Sequence, residues 1–257
     1  MTESTSDPNF MTSLARGLSV LEAFATLGPD QTVAGLARHT GLARGVVARC
    51  LHTLVVTGYI DRNDRLFSVR PSVLRLADAY LSDRSLSGLA QPLLEALRDE
   101  IGESCSMGVL DGADVLYVAR ASHSRIMRIG LHVGSRLPAW NTSMGRVLLA
   151  GLPVADRNRL IPPDPLPRRT TSSISSREAL DRVLELVERD GFALIDQELE
   201  LGLVSIAVPV MSRDGRVLAA LNVGANASSR TPQDLLDTVL PKLRTAAATL
   251  SGELHRR

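Results

Sequence analysis

A chain of 257 residues, 44% hydrophobic and 22% charged, is long enough for one large or two smaller globular domains. It has no run of about 18 apolar residues that could span a bilayer, and a net charge of +1 excludes a chain that is basic throughout. The two cysteines, Cys50 and Cys105, match no metal or redox spacing, so a reduced cytoplasm is the expected compartment.

Residues 1–11 are polar, lack the apolar stretch of a signal peptide and read as a disordered tail. From 12 to 70 the pattern is that of a small helical unit. Leu14, Leu18, Leu21 and Phe24 recur at helical spacing until Gly28-Pro29-Asp30 stops the run. A short helix fits 33–39, Thr40-Gly41 turns the chain, and a third helix fits 42–56, closed by Gly58. Ala37, Gly41 and Val47 meet the three demands of a helix-turn-helix. These are a small residue where the helices touch, a glycine able to take positive φ, and a branched apolar residue locking the second helix. With Val47, Cys50, Leu51 and Leu54 turned inward, Arg44, Gly45, Ala48, Arg49 and His52 form the outer face, free to enter a major groove. Arg44 and Arg49 suit guanine edges, because a guanidinium can donate to both O6 and N7; phosphate contacts or plain solvation fit the same two residues.

The polar stretch 61–64 between apolar flanks predicts a β-hairpin, a wing that brings Arg62 and Arg65 near a phosphate backbone. Local charge agrees. Residues 31–70 hold six arginines and two aspartates, a balance of +4 that leaves −3 for the rest of the chain.

Pro71 opens a linker, 71–87, in which Val73, Leu74, Leu76, Ala77 and Tyr80 fit a helix to 81 and 82–88 reads as a loop. The remainder, 88–257, has an α+β texture. An amphipathic helix is expected over 89–101, and hairpins around Asp111-Gly112 and Asp214-Gly215, with a further strand over 125–133. Three more helices are marked. One opens near Thr142, one at Ser175 with Glu178 closing a capping box, and one at Thr231-Pro232 that Pro241 bends.

Nothing here reads as chemistry. His123, His132 and His255 stand in unrelated contexts, and T-S-M-G at 142–145 lacks the leading glycine of a nucleophile elbow. Cys105 has no basic neighbour and reads as a buried thiol. No catalytic residue, metal site or cofactor is expected. Ser143 therefore stands between two readings, a nucleophile on a turn or part of a helix N-terminus whose free N–H groups meet a small anion. Asp196, Glu198, Ser205 and Asn222 are candidates for the facing side, and Arg136 and Arg146 for counter-charges.

Taken together, S-L-A-R-G-L-S-V-L-E-A-F (13–24), G-E-S-C-S (102–106), R-I-M-R-I-G-L-H-V-G-S-R-L-P-A (125–139), T-S-M-G-R-V-L-L-A (142–150), S-I-A-V-P-V (205–210) and A-L-N-V (220–223) resemble the IclR family of bacterial transcriptional regulators over nearly the whole chain. The branch they resemble contains PcaR, PcaU and PobR. The resemblance implies a winged helix-turn-helix, a linker helix and a GAF-like effector domain, acting as a dimer or dimer of dimers on double-stranded operator DNA away from any membrane. It implies control of aromatic-acid catabolism (the β-ketoadipate pathway) by a small carboxylate such as protocatechuate, 4-hydroxybenzoate or β-ketoadipate. On this chain the implied effector positions are Ser143, Met144, Asp196, Ser205, Asn222 and Gly224. The sequence departs from the family at Ala43 and Gly45 in the recognition helix, and at Arg128, Trp140, Asn141 and Val204 in the effector domain. Two other classes stay open. One is an enzyme acting on a small acid, and the other a constitutive DNA binder with a ligand-free dimerisation domain.

Overall fold

The computed structural model describes residues 7–81, 86–123 and 130–256. The chain divides into two compact units, residues 1–80 and 81–257.

In the first unit α1 (Thr12–Leu27), α2 (Val33–Thr40) and α3 (Arg44–Val56) close over Val20, Phe24, Leu36, Val47 and Leu51. Thr32 starts α2, its Oγ1 accepting from the Gly35 N–H at 3.1 Å. Gly41 ends it at φ +72°, with its N–H donating to the Ala37 carbonyl at 3.0 Å. That left-handed cap, natural to glycine, redirects the chain into α3. Ala43 has no side-chain oxygen to cap α3, so the helix lacks a bond typically worth about 1 kcal/mol.

The hairpin of β1 (Ile60–Asn63) and β2 (Leu66–Val69) turns at Asp64, φ +53°. Gln31 and Phe67 exchange two backbone bonds, 2.9 and 2.8 Å, which ties the wing to the segment ahead of α2. A tight turn (Pro71–Val73) then leads into α4 (Leu74–Leu81).

In the second unit α5 (Leu86–Ile101) begins three residues before the expected 89, because Leu86 also packs on the core. Residues 86–88 are thus helix rather than loop, and 82–85 lie outside the described residues. Then follow β3 (Ser104–Asp111), β4 (Asp114–Ala121), β5 (Arg136–Pro138), α6 (Ser143–Ala150), α7 (Val154–Leu160), α8 (Arg177–Asp190), β6 (Ala193–Asp196), β7 (Leu203–Met211) and β8 (Val217–Asn226). The six strands form one antiparallel sheet in the order β5-β4-β3-β8-β7-β6.

Three expectations shift. The strand expected over 125–133 is not found where it can be seen: 125–129 lie outside the described residues, and 130–133 is irregular backbone leading to Gly134 at φ +92°, which breaks the extension before β5. The cap of α8 is Ser176, not Ser175; Ser176 Oγ accepts from the Ala179 N–H, while the Arg177 N–H is held by Asp164 Oδ1 at 2.6 Å. Glu178 therefore sits one position early for a capping box and pairs with Arg182 instead. Finally, Pro241 acts through a change of helical pitch. After α9 (Pro232–Asp234), opened by the Thr231–Asp234 capping box, a π-turn (Leu235–Val239) precedes α10 (Leu240–His255). Proline has no N–H to give and its ring crowds the carbonyl four residues back, so the ladder widens there.

One face of the sheet, with Cys105, Met107, Val204, Ile206, Leu221 and Val223, packs against α5 and α10. The other, with Leu203, Ala207 and Ala220, packs against α6 and α8. Covering both faces explains why β7 and β8 are almost continuously apolar. All eight residues of α6 are buried. No described helix is long and apolar enough to cross a membrane.

Candidate nucleic-acid interface and effector site

On α3 the fully buried residues are Val47 and Leu51, and the exposed ones include Arg44, Gly45, Ala48, Arg49 and His52. Spacings of one, four, five and eight from Arg44 place these five on one helical face, a strip of the dimensions a major groove admits. The Arg62 Nε donates to the Asp64 carbonyl at 2.9 Å and its guanidinium lies 5.7 Å from the Phe67 ring centroid, so Arg62 braces the wing. Arg65 occupies the turn itself and is exposed.

The second site follows from strand register. Residues directly opposite in antiparallel strands share a face. Ser205 pairs with Gly224, which pairs with Ser104; Ala207 pairs with Asn222, which pairs with Ser106, which pairs with Arg120. Two polar rows thus run across the face that α6 covers. Ser205 Oγ donates to Ser143 Oγ at 3.0 Å, joining the sheet to the first turn of α6. A Cβ placed on Gly224 would meet Leu203 Cδ1 at 3.8 Å, an ordinary contact that the position would accept. Asn222 is 8% exposed, and its Oδ1 is buried with no donor among the described residues.

Thr142 caps α6, accepting from the Gly145 N–H at 3.2 Å, and its carbonyl takes the Arg146 N–H. The Ser143 and Met144 N–H groups have no partner among the described residues and remain the free donors of the helix end. The Met144 side chain packs in the core beside Gly108 and Val115. Neither Ser143 nor Ser205 is hydrogen-bonded to a histidine, lysine or carboxylate among the described residues.

Of the expected effector positions the structure brings together Ser143, Ser205, Asn222 and Gly224, with Met144 on the adjoining turn. It does not bring Asp196 to them. Asp196 pairs with Val204 on the face toward α5 and α10, is exposed, and among the described residues accepts only from Gln197 Nε2. Val204 is fully buried in that opposite core, so its departure from the family does not touch the polar rows. Trp140 and Asn141 are buried just ahead of α6, and neither Asn141 amide atom has a partner among the described residues. Arg128 lies outside the described residues.

The two arginines considered as counter-charges are both satisfied within the protein. Arg136 is exposed and paired with Asp111 and Asp114. Arg146 is buried, bidentate to Glu198 at 2.8 and 2.7 Å, with its Nε on the Trp140 carbonyl. Sequence reasoning passed over Arg120, whose guanidinium stands on the polar face beside Ser106. The readable signal was its place in the strand after Asp111-Gly112. Burial pushes the Cys105 thiol up to about 12, so it is an inert core group, and it does the same to Tyr117.

Against known proteins, the model of the bacterial transcriptional regulator IclR C-terminal domain matches residues 78–252 and the IclR helix-turn-helix domain matches 13–64. The chain is 42% identical over 251 residues to the Pca regulon regulatory protein of Pseudomonas putida, covering 97% of this chain and 86% of that one. It is 36% identical over 247 residues to the p-hydroxybenzoate hydroxylase transcriptional activator of Acinetobacter baylyi, covering 94% and 91%. Among solved structures, an IclR homologue from Microbacterium hydrocarbonoxydans in complex with 4-hydroxybenzoate matches with TM-score 0.79 at 28% identity, covering 95% and 99%.

Proposed function

The chain belongs to the IclR family of bacterial transcriptional regulators, and from that membership we propose that a small carboxylic acid seated between its sheet and α6 controls how the winged helix-turn-helix holds operator DNA. The observation that carries this reading is the buried polar patch of Ser143, Ser205 and Asn222, in which the Asn222 oxygen has no donor among the described residues. A stable apolar domain has no use for such a gap, since an unmet buried acceptor costs roughly 1–3 kcal/mol. The similarity to regulators of Pca and p-hydroxybenzoate genes, and to a homologue holding 4-hydroxybenzoate, supports an aromatic hydroxy acid as the effector.

On this reading Arg44 and Arg49 contact bases or adjacent phosphates, Gly45 and Ala48 allow α3 close approach, and His52, Arg62 and Arg65 lie along the backbone. The regulator works in the cytoplasm, as a dimer or dimer of dimers matched to a palindromic operator. Acid binding shifts the relative populations of two arrangements of the winged domains, and with them half-site spacing.

Gel shifts on its own upstream region, with and without 4-hydroxybenzoate, protocatechuate or β-ketoadipate, test the proposal. A sequence-specific shift that an acid strengthens or weakens is the expected result. Absence of any specific shift at moderate salt under all conditions rules it out. Arg44→Ala should lose about 1–3 kcal/mol of specific binding while non-specific binding changes far less.

A further inference from the structure

Within the second unit Arg136, Arg146, Arg177 and Arg230 each meet a carboxylate. Arg120 is half-buried and meets none among the described residues. Its partners are two hydroxyls: Nη1 donates to Ser106 Oγ at 2.7 Å and Nε donates to Ser122 Oγ at 3.1 Å. A guanidinium carries five N–H donors, so three remain for something that is not part of the described protein. Burial works against its charge and holds its pKa below the ordinary arginine value, a penalty that an adjoining anion would relieve.

Ser106 has Arg120 opposite it on one neighbouring strand and Asn222 on the other. The row therefore sets a cationic donor with spare N–H groups two strands from a buried acceptor that has no donor among the described residues. The two gaps are complementary in kind. A carboxylate fits the guanidinium and would be repelled by the Asn222 oxygen; a hydroxyl fits the oxygen and would leave the guanidinium uncompensated.

We propose that Arg120 anchors the effector's carboxylate and that the Asn222 side chain accepts from a hydroxyl on the same molecule, so that this unit selects hydroxy acids over plain acids. The inference rests on the effector reading above and relocates the charge within that site. The end of α6 is the weaker anchor: its Gly145 N–H is already taken by Thr142, Ser143 Oγ is already bonded to Ser205, and a helix end offers a partial charge where Arg120 offers a full one with a forked donor set.

The test is titration of the full-length protein, by calorimetry, with 4-hydroxybenzoate, benzoate and the uncharged 4-hydroxybenzamide. Wild type, Arg120→Gln, Arg120→Lys and Asn222→Leu are compared, with circular dichroism confirming that each variant is folded. Arg120→Gln should weaken 4-hydroxybenzoate about tenfold to a hundredfold, and 4-hydroxybenzamide less than about threefold. Arg120→Lys keeps the charge without the fork and should fall between. Asn222→Leu should erase the wild-type preference for 4-hydroxybenzoate over benzoate. If wild type binds 4-hydroxybenzoate and Arg120→Gln binds it equally well, the anchor is elsewhere and this proposal is overturned while the effector reading stands. If wild type binds none of the three probes, this proposal is overturned, and the effector reading falls with it only when protocatechuate and β-ketoadipate are not bound either. Should Arg120→Gln fail to fold, Arg120→Lys and Asn222→Leu carry the same comparison.

Discussion

The Arg146–Glu198 pair gives the strongest prediction about stability. Arg146 is 1% exposed and spends its Nε on the Trp140 carbonyl and both terminal nitrogens on Glu198. Glu198 in turn accepts from the Ile174 N–H at 3.2 Å, and its own carbonyl accepts from Ser173 Oγ at 2.7 Å. The pair thus clamps the start of α6 to the loop between α7 and α8 and to the end of β6. Removing either partner leaves a charge in a site closed to water, which costs about 3–5 kcal/mol. At about 2–4 °C per kcal/mol for a unit of this size, Arg146→Ala or Glu198→Ala should lower the melting temperature by roughly 6–20 °C. Replacing both, Arg146→Met with Glu198→Leu, removes the uncompensated charge and should recover most of that loss. Trp140, the chain's sole tryptophan, is 5% exposed and bonded to Arg146, so its fluorescence reports melting of this region. Single variants that melt within about 2 °C of wild type, or a double variant no better than the worse single, would refute the reasoning.

Alkaline pH should destabilise the fold through Cys105 and Tyr117. Both have pKa values raised by burial to about 12 from 9.0 and 10.0, so between those limits the unfolded chain has released protons that the folded chain still holds. Stability then falls as pH rises. Urea midpoints from pH 8 to 11 should decline from near 9, and Tyr117→Phe should flatten the part above 10; an unchanged slope counts against the assignment. In native labelling with iodoacetamide at pH 8, half-buried Cys50 should be modified while Cys105, fully buried, is not, and peptide mass mapping that finds Cys105 alkylated first would contradict this. Gly145→Ala would put a Cβ 2.0 Å from the Ala139 carbonyl oxygen, so the 139–141 turn must move. A loss of about 1–3 kcal/mol or more is expected in chemical denaturation, and a wild-type midpoint would show that the turn yields freely.

Much of the fold was legible because its signals are local. Gly41 and Gly191 end helices in left-handed backbone, and Gly112 and Gly215 turn hairpins, each within a few residues of the feature that requires it. The outward face of α3 was equally legible, since helical periodicity places Arg49 opposite Val47 and Leu51 without any knowledge of what packs beneath, while Arg44 is exposed on the opening turn of the helix. Where sequence and structure differ, local signals compete. Ser175 and Ser176 offer the same capping oxygen, and Asp164, eleven residues upstream in sequence, decides between them by holding the Arg177 N–H.

The polar face beneath α6 was harder to read because it depends on parity between strands, and parity is reset by irregularities with weak sequence marks. Asp196 and Glu198 are two apart, and continued extension would put them on one side. Instead β6 ends at Asp196, and Gln197 takes φ +56°, which turns the chain so that Glu198 enters the interior against Arg146 while Asp196 stays outside. The same logic hid Arg120. Counting back from the Asp111-Gly112 turn, an unbroken ladder would pair Arg120 with Cys105 and drive the guanidinium into the apolar face under α5. The register shift between Met107 and Gly108 inserts one residue in β4, so that Arg120 pairs with Ser106 and Ala121 takes the place opposite Cys105. A β-bulge of one residue therefore puts an alanine in the core and a cation on the polar face, and the charge that the proposed effector would meet is set there by strand register.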